Sequence, residues 1–289
     1  MKKTSVYFKE PYKVDVREEI LSKMEESKVT VKTFVSAISA GTELLFYKGE
    51  MPQRGLADGP ISALKKEVSY PLKYGYSAVG RVVEIGKNVS KYWQDKMVFA
   101  FNPHENYFNA DPSELFVVPD EVAPRDAVFL AKMETAINFF MDGNPQKNEV
   151  VIIFGQGVVG LFTTMLVSKS HLNSLVTFDL YSLRREYSLM LGASQSLDPN
   201  VSFSALEEVF RNSGPNYGAN LIYDLSGNTE VLNHAISLAG FNGRIIVGSW
   251  YGGKISSFNI NDAGEAYDLL CNNPEKTIQA VFEYDKETI

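Results

Sequence analysis

Val150-Val151-Ile152-Ile153-Phe154-Gly155-Gln156-Gly157-Val158-Val159-Gly160 joins an unbroken apolar run to three glycines spaced G-x-G-x-x-G. Five consecutive apolar residues, four of them β-branched, read as a strand buried on both faces. The apolar pattern resumes directly after Gly157 and predicts a helix over Val158–Lys169. Each glycine has its own physical reason. Gly155 makes a tight turn, Gly157 lets backbone approach a bound anion, and Gly160 lets the helix pack closely on the strand. A helix N-terminus placed there points unpaired N–H groups at a phosphate.

A strand, such a turn and a helix together form a Rossmann-type dinucleotide unit. Its usual third element, an acidic residue near 20 positions on, is present as Asp179, 19 residues after Gly160 at the end of a strand over 175–178. A carboxylate there accepts from both adenosine ribose hydroxyls and repels the 2′-phosphate of NADP, so NAD is the expected cofactor. Arg184 and Arg185 follow closely and leave NADP open. The turn contributes Gly155, Gln156, Gly157, Val158, Val159 and Gly160 to the expected cofactor contacts. Asp224-Leu225-Ser226-Gly227 and Val247-Gly248-Ser249 both follow strands, which makes Ser226, Gly227, Gly248 and Ser249 candidates for the nicotinamide half. Thr135 is a further expected cofactor contact.

Working outward, strands at 220–223 and 244–247 alternate with helices at 184–191, 205–211 and 229–238, which predicts a doubly wound parallel sheet. A helix over 127–141 precedes it, and Pro124 suits its start. Upstream the pattern is β-rich, with alternating runs at Val29–Val35 and Gly80–Gly86. A long loop over 48–74 carries a short helix near 61–66. Strands 97–101 and 114–118 flank a loop, Asn102–Pro112. A last strand is expected at 277–283, pairing back with the first domain.

Composition limits the function. Thirty-five acidic against 28 basic side chains give a net charge of −7, which disfavours a nucleic-acid partner. No apolar run is long enough to span a bilayer, no signal core follows the basic start, and the single cysteine, Cys271, suits a reducing cytoplasm. One cysteine and three scattered histidines (His104, His171, His234) supply no zinc-binding cluster, so no metal is expected.

The segments Ser39-Ala-Gly-Thr-Glu43, Lys73-Tyr-Gly-Tyr-Ser-Ala-Val-Gly80, Leu191-Gly-Ala193 and Asn242-Gly-Arg-Ile-Ile-Val-Gly248, with the glycine turn, resemble the medium-chain dehydrogenase/reductase superfamily over nearly the whole chain. GTELLFYKGEMP, YPLKYGYSAVGRV and KMETA are closest to its zinc-less branch, related to bacteriochlorophyllide hydroxyethyl dehydrogenase. The resemblance implies a GroES-like β domain over 1–120, joined by 258–289, and a Rossmann domain over 121–257. Relatives continue after Ser249-Trp250 with a further Rossmann strand, often used for dimerisation. That strand is expected to be missing here, which leaves the usual homodimer in doubt.

In zinc-dependent members the metal ligands fall where this chain has Ala40, Tyr76 with Ser77, and a position near Ala131. Alanine cannot ligate and a neutral phenol ligates poorly. The resemblance thus implies a zinc-independent, NAD(P)-dependent oxidoreductase that moves a hydride between nicotinamide and an alcohol or ketone substrate. An enoyl- or quinone-type NADPH reductase and a non-catalytic NAD(H)-binding protein are the alternatives. Without a metal, a positioned proton donor must serve the substrate oxygen. Tyr76, Thr42, Glu43 and His104 are the candidates, with Lys132 and Glu134 behind them.

Overall fold

The computed structural model describes residues 1–50, 69–200 and 218–249, together with the backbone strands Ile255–Asn259 and Gln279–Glu283. The helices expected at 61–66 and 205–211 and Cys271 lie outside the described residues. The chain forms two compact units, Met1–Thr135 and Ala136–Ile289.

The first unit is antiparallel. Strands β1 (Lys2–Glu10) and β2 (Lys13–Ile20) make a hairpin. A five-stranded sheet follows, ordered β6-β3-β4-β5-β7, from β3 (Val29–Ser36), β4 (Ala78–Ile85), β5 (Met97–Ala100), β6 (Tyr107–Ala110) and β7 (Leu115–Val117). Its core gathers Val29, Val31, Val82, Val98, Phe108 and Leu115 on one face. The stretch Asn102–Pro112, expected as a loop, therefore contains a strand. Phe108 and Ala110 turn inward while β6 pairs with β3, a four-residue alternation too short to stand out among its polar neighbours.

Helix α1 (Ala40–Lys48) was not anticipated either. Glu43 reaches back to accept the Ser39 backbone N–H at 2.7 Å, satisfying one of the donors a helix start leaves free. Gly49, at φ 75°, ends the helix in the left-handed region. Helices α2 (Pro124–Ala127) and α3 (Leu130–Gly143) follow the sheet, split where one continuous helix was expected.

The second unit holds a five-stranded parallel sheet ordered β10-β9-β8-β11-β12. Its strands are β8 (Val150–Phe154), β9 (Ser174–Phe178), β10 (Gln195–Leu197), β11 (Ala219–Asp224) and β12 (Ala239–Val247). Helices α4 (Val158–Val167), α5 (Ser182–Met190) and α6 (Thr229–Leu238) alternate with them. Every residue of β8 is buried. Val150, Ile152 and Phe154 enter one apolar cluster, while Val151 and Ile153 enter another. That two-sided burial accounts for the uninterrupted apolar run, and each such side chain contributes about 1.5–3 kcal/mol.

The strand order reverses at β8, and the carboxyl ends of β8, β9, β11 and β12 share one edge, where ligands of open α/β sheets bind. The strand expected at 277–283 is present as β14 (Gln279–Glu283). Its hydrogen-bonded neighbour is β13 (Ile255–Asn259), in parallel, rather than a strand of the first unit.

Candidate functional site

In the second unit the three glycines differ in their surroundings. Gly155 sits at φ 87°, and a Cβ there would stand 2.5 Å from the Leu225 carbonyl oxygen. A Cβ on Gly160 would lie 2.0 Å from the Gly155 oxygen, so turn and helix touch through backbone alone. Around a Cβ on Gly157, by contrast, nothing lies within 4 Å. Gly157 is also the N-cap of α4, with no side chain capping it. The first hydrogen bond to its carbonyl comes from Leu161, so the earlier helical N–H groups have no acceptor within the helix. An open cradle at an uncapped helix start fits a pyrophosphate.

Gln156 braces the turn. Fully buried, its side chain donates to the Gly155 oxygen at 3.1 Å and accepts from Thr164 at 2.9 Å. Its backbone N–H donates to Asp179 Oδ2 at 2.8 Å, tying the turn to the end of β9. The other Asp179 oxygen accepts from the Tyr181 N–H at 2.9 Å. Arg184 stands 3.5 Å from Oδ2 and stacks on the Tyr181 ring, 4.7 Å from its centroid. Arg185 turns elsewhere, donating to the Asp179 and Leu180 carbonyls and pairing with Asp198. Val158 is exposed at the helix start and Val159 half-buried.

The ends of β11 and β12 converge on Asp224, which is fully buried. Its carboxylate accepts from the Ser226 N–H and hydroxyl, and its backbone oxygen accepts from Gly248 N–H and the Ser249 hydroxyl. Ser249 in turn accepts from the Gly227 N–H at 2.8 Å. Ser226, Gly227, Gly248 and Ser249 thus form one hydrogen-bonded shelf on the sheet edge that carries the glycine turn. Thr135 bonds back to its own helix, at Ala131 O.

The first unit holds a buried polar cluster. Glu43 Oε2 lies 2.9 Å from His104 Nε2, both side chains at most 10% exposed. Nδ1 of His104 faces the Ser36 hydroxyl at 2.8 Å. Gly75, at φ 141°, makes room for the imidazole, because a Cβ there would stand 2.9 Å from the ring. The Tyr76 hydroxyl hydrogen-bonds to Ser39, whose backbone N–H donates to Glu43. Lys132, from the first turn of α3, lies over the Tyr76 ring, 5.7 Å from its centroid. Glu43, His104 and Tyr76 therefore fall within one network. No hydrogen bond links the Thr42 hydroxyl to it among the described residues, although the Thr42 N–H donates to Ser39 O.

Ser36 and Ser39 joined this network without any sequence signal beyond Ser39 preceding a helix. Among the described residues no three His, Cys, Asp or Glu side chains gather as a metal site. Glu43 and His104, two side chains of ligating type that do meet, are bonded to each other.

No family model matches the sequence. The Escherichia coli (strain K12) starvation-sensing protein RspB is 28% identical over 131 residues, 45% of this chain and 38% of that protein. The chain thus spans little more than a third of that relative's length. A solved 2R,3R-butanediol dehydrogenase from Bacillus subtilis superposes with a TM-score of 0.73 at 18% identity, covering 96% of this chain and 83% of that one. The chain shares the fold of that structure. A short chain alcohol dehydrogenase (rspB) from E. coli CFT073, complexed with NADH, shares it with a TM-score of 0.69 at 15% identity, covering 98% and 99%. Both structures combine with the sheet order and the glycine turn to fix the architecture as a β domain followed by a Rossmann domain.

Proposed function

We propose that this chain is a nicotinamide-dinucleotide-dependent oxidoreductase of the zinc-less medium-chain branch, interconverting an alcohol and a carbonyl compound, with NAD preferred over NADP. The observation that carries this reading is the open, uncapped start of α4 at Gly157 with Asp179 fixed beside it. The turn would hold the pyrophosphate, Asp179 the adenosine ribose, and the shelf of Ser226, Gly227, Gly248 and Ser249 the nicotinamide half. When bound, the cofactor supplies or accepts a hydride. The neighbours' names support the class of reaction, and the NADH carried by one of them supports the cofactor.

Within the first unit the chain's own residues manage protons. A carboxylate at Glu43 only accepts, so the 2.9 Å contact calls for a proton on His104 Nε2, while Nδ1 faces the Ser36 hydroxyl. Ser39 holds that pair beside Tyr76, its backbone N–H donating to Glu43 and its hydroxyl bonding the Tyr76 hydroxyl. NADH fluorescence titration of chelator-treated protein tests the reading. Saturable binding is expected, followed by turnover of some member of an alcohol and ketone panel. A titration with no binding of either nucleotide overturns it. Reduction of an activated double bond, with no alcohol turned over, overturns the alcohol assignment alone.

A further inference from the structure

Lys132 is 6% exposed, and its Nζ has no hydrogen-bond partner among the described residues. An amine held in this way is costly, and a leucine or methionine would fill the same space on α3 without the penalty. The groups that face it are known. Tyr76, before β4, lies under the ammonium with its hydroxyl committed to Ser39. Glu43, on α1, is the acidic group whose charge acts on it, and that carboxylate is itself held by His104 and the Ser39 N–H. Glu134 sits two positions along its own helix. Ala131, one residue before, packs with Val79, Phe99 and Val128, so the surroundings are largely apolar.

We propose that Lys132 is a proton-transferring group of this chain, its Nζ binding the oxygen of an alcohol or carbonyl substrate. The proposal rests on the oxidoreductase reading above. In the direction of reduction, the cofactor, when bound, would supply the hydride that adds to the carbonyl carbon, with the π pair moving to oxygen. One N–H bond of the ammonium breaks, leaving its electron pair on nitrogen, and the proton joins that oxygen as an O–H. Alcohol, oxidised cofactor and neutral amine result, and a proton from solvent restores the ammonium. Oxidation runs the same steps backwards, with the neutral amine taking the hydroxyl proton. Burial makes Lys132 suited to both directions. It pulls the ammonium below the ordinary lysine range, with the Glu43 charge opposing, and a donor works best when its affinity for protons lies near the working pH.

Lys132→Met tests this, because it keeps the length and removes only the amine. The variant is expected to melt no lower than the parent and to bind NADH within about twofold, while kcat for ketone reduction falls about 100-fold or more. The limb of the pH profile that belongs to the donor should vanish with it. Lys132→Arg, which keeps the charge but cannot give up its proton, should stay similarly slow. Trace labelling with acetic anhydride across pH, read by peptide mass, gives a measurement independent of turnover. Lys132 should titrate below the exposed Lys147. Unchanged kcat and pH profile in Lys132→Met, with NADH binding intact, overturns the proposal and leaves the oxidoreductase reading standing. Labelling of Lys132 in step with Lys147 overturns it as well. Failure of the parent protein to bind NADH overturns both.

Discussion

The two units hold buried polar groups in different ways. In the second, most of the donors are backbone N–H groups at the glycine turn and the strand ends, with the Asp179, Asp224 and Ser249 side chains accepting from them. In the first, the polar groups belong to side chains from five separate segments. Ser36, Ser39 with Glu43, Tyr76, His104 and Lys132 span nearly one hundred positions before they meet. A site made of backbone announces itself as a motif, whereas a site made of distant side chains does not.

The comparison can be broken most forcefully at Gly160. Gly160→Ala places a Cβ 2.0 Å from a carbonyl that cannot move without breaking the turn. A loss above about 3 kcal/mol is expected in a denaturant titration of the folded protein, with NADH binding abolished. Gly157→Ala, three residues earlier, should cost under about 1 kcal/mol of that stability and chiefly weaken NADH binding. Equal destabilisation by both would remove the distinction between a glycine that permits packing and one that leaves room.

In the first unit, Glu43→Ala strips acceptors from His104 and from the Ser39 N–H at once. The expected cost is about 2–4 kcal/mol by chemical denaturation, because two buried donors lose their partner. NADH affinity should not follow. A parallel loss of NADH binding would show that the two polar systems are one.

Asp179→Ala sharpens the comparison from the other side. NADH affinity should drop about tenfold, with preference over NADPH relaxed by a similar factor, in paired fluorescence titrations. Unchanged selectivity would remove Asp179 from its assigned role.

Acid separates the units more gently. Burial pushes Glu105 toward protonation, but the hydrogen bond from Lys3 and the charge of Lys73 outweigh it and hold the carboxyl below its ordinary range. Glu19 is held low as well, chiefly by the Tyr7 hydroxyl. A carboxylate depressed on folding adds stability above its unfolded value, near pH 4.5, and that contribution fades as pH falls through the folded value. Glu105→Gln should therefore cost about 1–2 kcal/mol at neutral pH and flatten the acid limb of the first unit's melting curve. An acid limb as steep as the parent's would assign the loss to other groups.

Much of the second unit was legible beforehand. β8, the three glycines, Asp179 and α6 stand where the sequence places them, because burial on both sheet faces and positive φ leave few residue choices. β10 escaped notice, since Gln195–Leu197 carries too little apolar signal. In the first unit the sheet was legible from alternation, but β6 and α1 were not. β6 is four residues long, and α1 is held by a contact from Glu43 rather than by a strong apolar stripe. The residues of the polar cluster were mostly named one by one. Their grouping was not, because sequence spacing carries no information about which strand ends and loops adjoin.

Arg184 rests on Tyr181 and touches the carboxylate that the adenosine ribose would claim. Its side chain is 46% exposed, while that of Asp179 is only 5% exposed. A ribose binding at Asp179, as proposed, would meet a guanidinium already in place, and the choice of nucleotide would then turn on how tightly the protein holds its own arginine.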